Sequence, residues 1–141
     1  MHPNRKKLIA LLEKHANKVL DMAPRPETYT HQVTEVLFLN LKKRKPGIEA
    51  IAEHFSMSVR SLQMKLKAEG TSYQELLNRI REQLAITCLK ERRFSKGEIA
   101  DLLGFAEISV FSRTFKKWTG KSPSEFQLNW SGHSGLILGT N

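Results

Sequence analysis

The chain has 141 residues, 40% of them hydrophobic and 26% charged, which fits one domain or two small ones and excludes disorder throughout. Lysine and arginine number 23 against 14 acidic residues, and the resulting charge of +9 predicts a polyanionic partner, either nucleic acid or an anionic membrane surface. A single cysteine excludes an internal disulfide. The sequence has neither the long apolar run of a spanning helix nor a signal peptide, so of these two partners it favours nucleic acid and predicts no membrane contact. The single cysteine is typical of a reducing, cytoplasmic compartment.

Hydrophobic residues recur with the period of a helix, and strand-like alternation is almost absent, so the sequence predicts an all-helical fold. The first predicted helix covers Asn4 to Met22, and a short linker, Ala23 to Thr30, follows it. The second covers Gln32 to Lys43. Its basic end at residues 42–45 has two interpretations, favourable charge at a helix C-terminus or contact with phosphate.

From Ile48 onwards the sequence repeats itself at an offset that drifts from 48 to 50 residues. Residues 51–53 correspond to 99–101, and residues 70–72 correspond to 120–122. Each copy has the pattern of a short helix, a tight turn and a longer helix, which is the helix-turn-helix unit. A left-handed backbone is expected in the second turn at Gly104, and Ser56 takes the equivalent place in the first.

A long helix from Ser72 to Glu91 is predicted to join the two copies. Its first turn has the Ser-x-x-Glu pattern of a capping box, and the same pattern recurs at Ser95 and Ser122. About 20 helical residues span roughly 30 Å, close to the ~34 Å between successive major-groove windows on one face of DNA. Cys88 lies on its apolar stripe as a small hydrophobic residue. The side chains predicted to face solvent are those of Arg79, Arg81, Glu82 and Lys90.

The longer helix of each copy has a buried stripe opposite a polar one. The buried stripes are Val59, Leu62 and Leu66 in the first copy and Phe111, Phe115 and Trp118 in the second. The polar stripes occupy matching positions: Arg60, Gln63, Met64 and Lys67, then Ser109, Ser112, Arg113 and Lys116. An ordinary solvated face would explain one such stripe. Because the polar stripe recurs at the same positions in both copies, the pattern favours helices that enter the major groove of DNA. There arginine binds guanine and glutamine binds adenine.

These residues resemble the DNA-binding domain of the AraC/XylS family of bacterial transcription regulators. The similarity runs from about Gln32 to Gln127 and is densest in residues 98–105, 109–116 and 120–126. It implies seven helices in a domain over residues 32–130. The implied parts are subdomain 1 (about 32–71), the linker helix (about 72–91) and subdomain 2 (about 95–130), preceded by an extra N-terminal helix and followed by an unassigned tail (131–141).

The resemblance also implies what the residues do. Two recognition helices, about 58–69 and 107–118, would enter adjacent major-groove segments of double-stranded promoter DNA. The implied base contacts are Arg60, Gln63, Met64, Ser109, Ser112 and Arg113. The implied phosphate contacts are Lys67, Ser72, Lys116, Lys117 and Ser122, the two serines because they begin helices. No cofactor or metal is implied, and the regulator is expected to recruit RNA polymerase as an activator at the cytoplasmic nucleoid.

Met64 departs from the family pattern, which often has arginine at this position, as the second copy has at Arg113. A methionine cannot make two hydrogen bonds to guanine. It would either touch a thymine methyl group or simply pack. We therefore expect subdomain 1 to discriminate less than subdomain 2, or to read A·T-rich sequence.

Two alternatives remain open for residues 1–31. They resemble the end of a sensor domain, absent from this chain, through which a small-molecule effector would act. Alternatively, the chain is a single-domain member with one extra helix, and Leu8, Leu11 and Leu12 then need a partner or a place to pack within the chain.

The sequence has no histidine pair at metal-ligand spacing, no phosphate-binding glycine loop and no supported pair of catalytic carboxylates, so it predicts a protein that is not an enzyme. The competing hypothesis is a basic helical adaptor that binds protein or RNA through the same faces. Binding of single-stranded RNA needs exposed rings for stacking. Because the aromatic residues here have core spacing, they favour duplex DNA.

Overall fold

The computed structural model describes residues 5–15, 28–43 and 47–128, and all regular structure in these ranges is helical. The helices are α1 (Arg5–Lys14), α2 (Tyr29–Lys42), α3 (Ile48–His54), α4 (Val59–Ala68), α5 (Tyr73–Glu91), α6 (Lys96–Leu102) and α7 (Ile108–Thr119), with helical residues again at 123–128. Helices α3 and α4 form one helix-turn-helix unit, and α6 and α7 form the other. The prediction of two such units joined by a long helix, with an extra N-terminal helix, is confirmed.

The start of α2 lies three residues before the predicted one. Thr28 caps the helix by accepting a hydrogen bond from the His31 N–H at 3.1 Å. The Glu69 carboxylate accepts two more, from the Tyr29 N–H at 2.9 Å and the Thr30 N–H at 2.7 Å. Burial alone would raise the pKa of Glu69, but the bonds from Thr30 and Tyr29 outweigh it and lower the pKa. A distant acidic residue therefore extends the helix, and local sequence cannot reveal this.

Several predictions concern residues outside the described ranges. The first predicted helix, over residues 4–22, is described only as α1 and His15. The prolines of the predicted linker, residues 44–46 of the basic run and the tail at 131–141 are also outside these ranges.

The predicted helix caps and turns are present. Ser95 and Glu98 form a reciprocal capping box, and so do Ser122 and Glu125. At Ser72 the hydroxyl half forms, because its oxygen accepts from the Glu75 N–H. The two turns have matching left-handed residues, with φ of 54° at Ser56 and 86° at Gly104.

One hydrophobic cluster runs through both subdomains and the linker helix. In subdomain 2 it is aromatic, and five rings lie 5.5–6.4 Å apart between neighbouring centroids: Phe105, Phe111, Phe115, Trp118 and Phe126. Phe111 and Phe115 are fully buried, whereas Trp118 is only partly buried. Cys88 is buried on α5, and burial raises the pKa of its thiol to about 12. The thiol is therefore neutral near pH 7 and behaves as a small hydrophobic group.

Helix α1 packs its apolar side within the molecule. Leu8, Leu11 and Leu12 are all buried, and the helix contacts both α5 and α6. These leucines therefore have the intramolecular place to pack that the single-domain alternative requires.

The prediction that Arg81 faces solvent is wrong. Its side chain reaches from α5 to the turn of the second helix-turn-helix, where Nε donates to the Leu103 carbonyl at 2.8 Å. The guanidinium lies 4.4 Å from the centroid of the Phe105 ring. Because the arginine side chain is long, it satisfies carbonyl groups on a neighbouring element that helical periodicity does not locate.

Candidate nucleic-acid interface

The predicted polar stripe of α4 is a continuous exposed surface. Arg60, Gln63, Met64 and Lys67 are all exposed, and together with Ala68 they line an open depression of about 540 Å³. On the opposite side of the helix, Leu62 and Leu66 are fully buried in the core. The buried side therefore fixes the direction in which the polar stripe points.

Met64 is the apolar member of this stripe and is 61% exposed. Neighbouring Arg60, Gln63 and Lys67 surround it with hydrogen-bond donors and positive charge. The core does not bury this methionine, so of the two roles left open above, the geometry favours contact with a partner over packing.

A second cavity, of about 530 Å³, adjoins the stripe at the start of α5. Gln63 and Lys67 line it together with Thr71, Ser72 and Gln74. It brings Lys67 and Ser72, two predicted phosphate contacts, to the same place. A lysine beside the N-terminus of a 19-residue helix suits an anion, because backbone N–H groups and the helix dipole point toward it.

Sequence reasoning missed Thr71 at this cavity. Its hydroxyl oxygen is buried and has no hydrogen-bond partner among the described residues. The signal available in the sequence was its place immediately before the N-cap Ser72. From that position the sequence predicts a small polar side chain near the N-terminus of a helix. It does not predict that the hydroxyl lacks a hydrogen-bond partner.

The polar stripe of α7 has serines at the two positions where α4 has arginine and glutamine. Ser109, Arg113, Lys116 and Lys117 are exposed, whereas Ser112 is partly buried. The Ser109 hydroxyl donates to the Glu107 carboxylate at 3.3 Å. Sequence reasoning missed Glu107, an exposed acceptor at the start of the helix that could receive a hydrogen bond from the amino group of cytosine.

The Ser122 end differs from the Ser72 end as a possible anion site. The Ser122 N–H donates to the Glu125 carboxylate at 2.9 Å, and its hydroxyl accepts from the Glu125 N–H at 3.2 Å. These bonds lower the pKa of Glu125 and keep a negative charge at this helix start. The next residue, Pro123, has no N–H. The geometry therefore favours Ser72 over Ser122 as a phosphate contact.

The described residues contain no group of three or more histidine, cysteine, aspartate or glutamate side chains placed to hold a metal ion. None of their helices has the length and apolar character needed to cross a membrane.

Comparison with protein families matches residues 51–129 to a helix-turn-helix domain, a range that begins within α3 and covers the rest of both units. The ornithine utilization regulator of Pseudomonas aeruginosa is 43% identical over 82 residues, which are 58% of this chain and 24% of that protein. The HTH-type transcriptional activator FapR of Escherichia coli is 29% identical over 101 residues, 72% of this chain and 38% of that protein. The chain thus spans between a quarter and two fifths of the length of these curated relatives.

One solved structure is matched over nearly all of its own length, unlike the two curated relatives. The crystal structure of a DNA-binding transcriptional dual regulator from Escherichia coli K-12 superposes with a TM-score of 0.70 at 29% identity. The match covers 78% of this chain and 97% of that one.

Proposed function

The chain belongs to the AraC-type family of helix-turn-helix domains, as its residues predict, and we propose that it is a sequence-specific, double-stranded DNA-binding transcription regulator. The observation that carries this proposal is the pair of polar stripes at matching positions on α4 and α7, exposed except at partly buried Ser112 and each opposite a buried stripe. The family is one of DNA-binding domains rather than enzymes.

In the proposed complex, α4 and α7 enter adjacent major-groove segments of a promoter. Arginine and glutamine read base edges through pairs of hydrogen bonds, and the lysines neutralise phosphates. The base-reading residues are Arg60, Gln63, Met64, Ser109, Ser112 and Arg113. The phosphate-binding residues are Lys67, Ser72, Lys116 and Lys117, with Ser122 the weakest candidate for the reason given above. The working unit of the proposal is residues 32–130, and α1 packs against it through the buried leucines Leu8, Leu11 and Leu12.

The proposed regulatory outcome is supported by the name of one relative. FapR carries the word activator in its name, and on that likeness we propose that this chain activates transcription at cytoplasmic, nucleoid-associated promoters through contact with RNA polymerase. A small-molecule effector would act only through a sensor domain.

The test begins with selection of bound sequences from a pool of random duplexes, followed by gel-shift titration of the selected duplex, a scrambled duplex and each single strand. The expected result is binding to the selected duplex at least 10³-fold tighter than to the scrambled one, as is typical of specific DNA binders. Equal affinity for duplex and single strands would overturn the proposal. It would favour the alternative of a basic adaptor for RNA or protein.

The proposed role of Met64 has its own test on the selected duplex. Each thymine in the first window is replaced in turn by uracil, which removes only the methyl group. At one position the affinity should fall about fourfold, corresponding to ~0.8 kcal/mol for one buried methyl group. In Met64→Ala the same replacement should have no effect. If wild-type protein binds thymine and uracil duplexes equally at every position, Met64 does not read a methyl group.

A further inference from the structure

Helix α1 lies outside both helix-turn-helix units but contacts elements of each half of the molecule. Its buried leucines pack against the linker helix α5 and against α6, the first helix of the second unit. Its exposed edge reaches α2 of the first half, where Lys42 Nζ lies 2.8 Å from Glu13 Oε2. A helix placed in this way can hold the two halves at a fixed angle.

Arg5, in the first turn of α1, makes the most specific of these contacts. It is only 8% exposed. Its Nη2 donates to the Lys42 carbonyl at 2.9 Å and to the Leu41 carbonyl at 3.3 Å, both at the C-terminus of α2. Its Nη1 lies 3.6 Å from Asp101 Oδ2 on α6, a distance typical of charge attraction rather than of a hydrogen bond. One guanidinium thus connects the last turn of α2 with α6.

The chemistry of this contact requires an arginine. A positive charge is favourable at the C-terminus of α2, where carbonyl groups lack helical partners. The planar guanidinium holds Nη2 against two carbonyl groups and Nη1 near a carboxylate, an arrangement that a single lysine ammonium cannot reproduce. Taking a charged pair out of water contributes little net stability, so the contact acts through the geometry that it specifies.

We propose that Arg5 is a positioning residue for DNA recognition: by joining α2 to Asp101 it fixes the angle between the two recognition helices and so sets the spacing of the base pairs they read. This inference rests on the proposed function. Helix α6 packs directly against α7, and α2 packs against α4, so each end of the Arg5 contact is one helix away from a reading face. The segment before the DNA-binding domain therefore controls the register of the two windows.

The test measures how sharply the chain prefers one spacing. The probes are the duplex selected by the wild-type chain and versions with one base pair inserted or removed between the two windows. The variants are Arg5→Met, which keeps the side-chain bulk, and Asp101→Asn, which keeps the shape. Glu13→Gln is the matched control, because it breaks an exposed ion pair between α1 and α2 without touching α6.

Arg5→Met and Asp101→Asn should lower the ratio of affinities for native and altered spacing by roughly 3- to 30-fold, as expected for the loss of one coupled contact. Glu13→Gln should leave the ratio unchanged. A variant that merely loses folded protein weakens binding to every probe equally and leaves the ratio intact.

The outcomes separate the two proposals. If the wild-type chain has a spacing preference that both variants retain, the inference about Arg5 is overturned and the proposed function stands. If the wild-type chain prefers no duplex sequence, the proposed function is overturned and this inference with it.

Discussion

The two helix-turn-helix units share one backbone plan and differ in both of their faces. In the first, α4 exposes Arg60, Gln63, Met64 and Lys67 over buried leucines; in the second, α7 exposes Ser109, Arg113 and Lys116 over a cluster of aromatic rings. Both cores nevertheless hold the second helix with its polar stripe outward. The buried face therefore needs only suitable volume and spacing, whereas the exposed face is free to differ. We therefore expect the two units to read different base sequences.

The largest expected effect tests the two cores at equivalent positions, Leu62 and Phe111. Phe111→Ala should lower the free energy of unfolding by about 3–5 kcal/mol and Leu62→Ala by about 2–5 kcal/mol, because each leaves a cavity in a fully buried site. Chemical denaturation monitored by circular dichroism measures both values. Trp118→Ala is the control and should cost less than Phe111→Ala, because its ring is partly exposed. A larger loss at Trp118 would contradict this view of the aromatic core.

The next effect concerns base reading by the one arginine in each polar stripe, Arg60 on α4 and Arg113 on α7. Arg113→Ala should lose about 1–3 kcal/mol of discrimination at one base pair in the second window, and Arg60→Ala should do the same in the first. Binding titrations against a panel of single-base variants measure these losses. Arg79→Ala, at an exposed position on α5, should change no base preference. If both arginine variants relaxed the same base pair, the two helices would not read separate windows.

Substitutions in the turns of the two units should change the stability of the fold in opposite directions. Gly104→Ala places a side chain at φ of 86° and should destabilise the fold by about 1–2 kcal/mol. Ser56→Gly relieves the left-handed strain at φ of 54°, although glycine costs backbone entropy, so we expect a gain below about 1 kcal/mol. Thermal melting of both variants gives the signs. A stabilising Gly104→Ala would show that this turn does not need glycine.

The smallest effect is the response of binding to salt. Lys67 and Lys116 occupy matching positions on α4 and α7, and removal of either one should weaken binding to all duplexes alike. Each alanine variant should lower the slope of log affinity against log salt by about 0.9, the value for one phosphate contact. Lys7→Ala, exposed on α1, is the control and should leave the slope unchanged. Loss of base preference instead of slope would show that the lysine contacts a base.

Much of the fold can be predicted from the sequence because the patterns that specify its helices and turns lie within short segments. Helix periodicity, Ser-x-x-Glu caps and the Gly104 turn each depend on residues within a few positions of one another. The features that were missed depend on contacts across the chain. Glu69 extends α2 from 39 or 40 positions away, and Arg81 reaches a turn 22 positions away. No periodic pattern encodes such pairs.

Some features of the candidate interface can likewise be predicted from local sequence, whereas others depend on contacts across the chain. Exposure of Arg60 and Arg113 follows from the helical period, since each lies opposite a buried stripe. Two features depend on how helix ends are arranged in space. Lys67 and Ser72 line one cavity, and the Glu125 carboxylate accepts a hydrogen bond from the Ser122 N–H. Equal capping motifs therefore predicted two equal phosphate sites, and the geometry separates them.

The hydrophobic cluster shared by both halves has a consequence for denaturation. Since the linker helix contributes its buried residues to the same cluster as α4 and α7, neither half owns a separate interior. Calorimetry should then record a single melting transition, with equal calorimetric and van't Hoff enthalpies. A destabilising substitution in the core beneath one recognition helix would therefore also reduce the folded fraction of the other unit. The two units fold and unfold together rather than as independent modules.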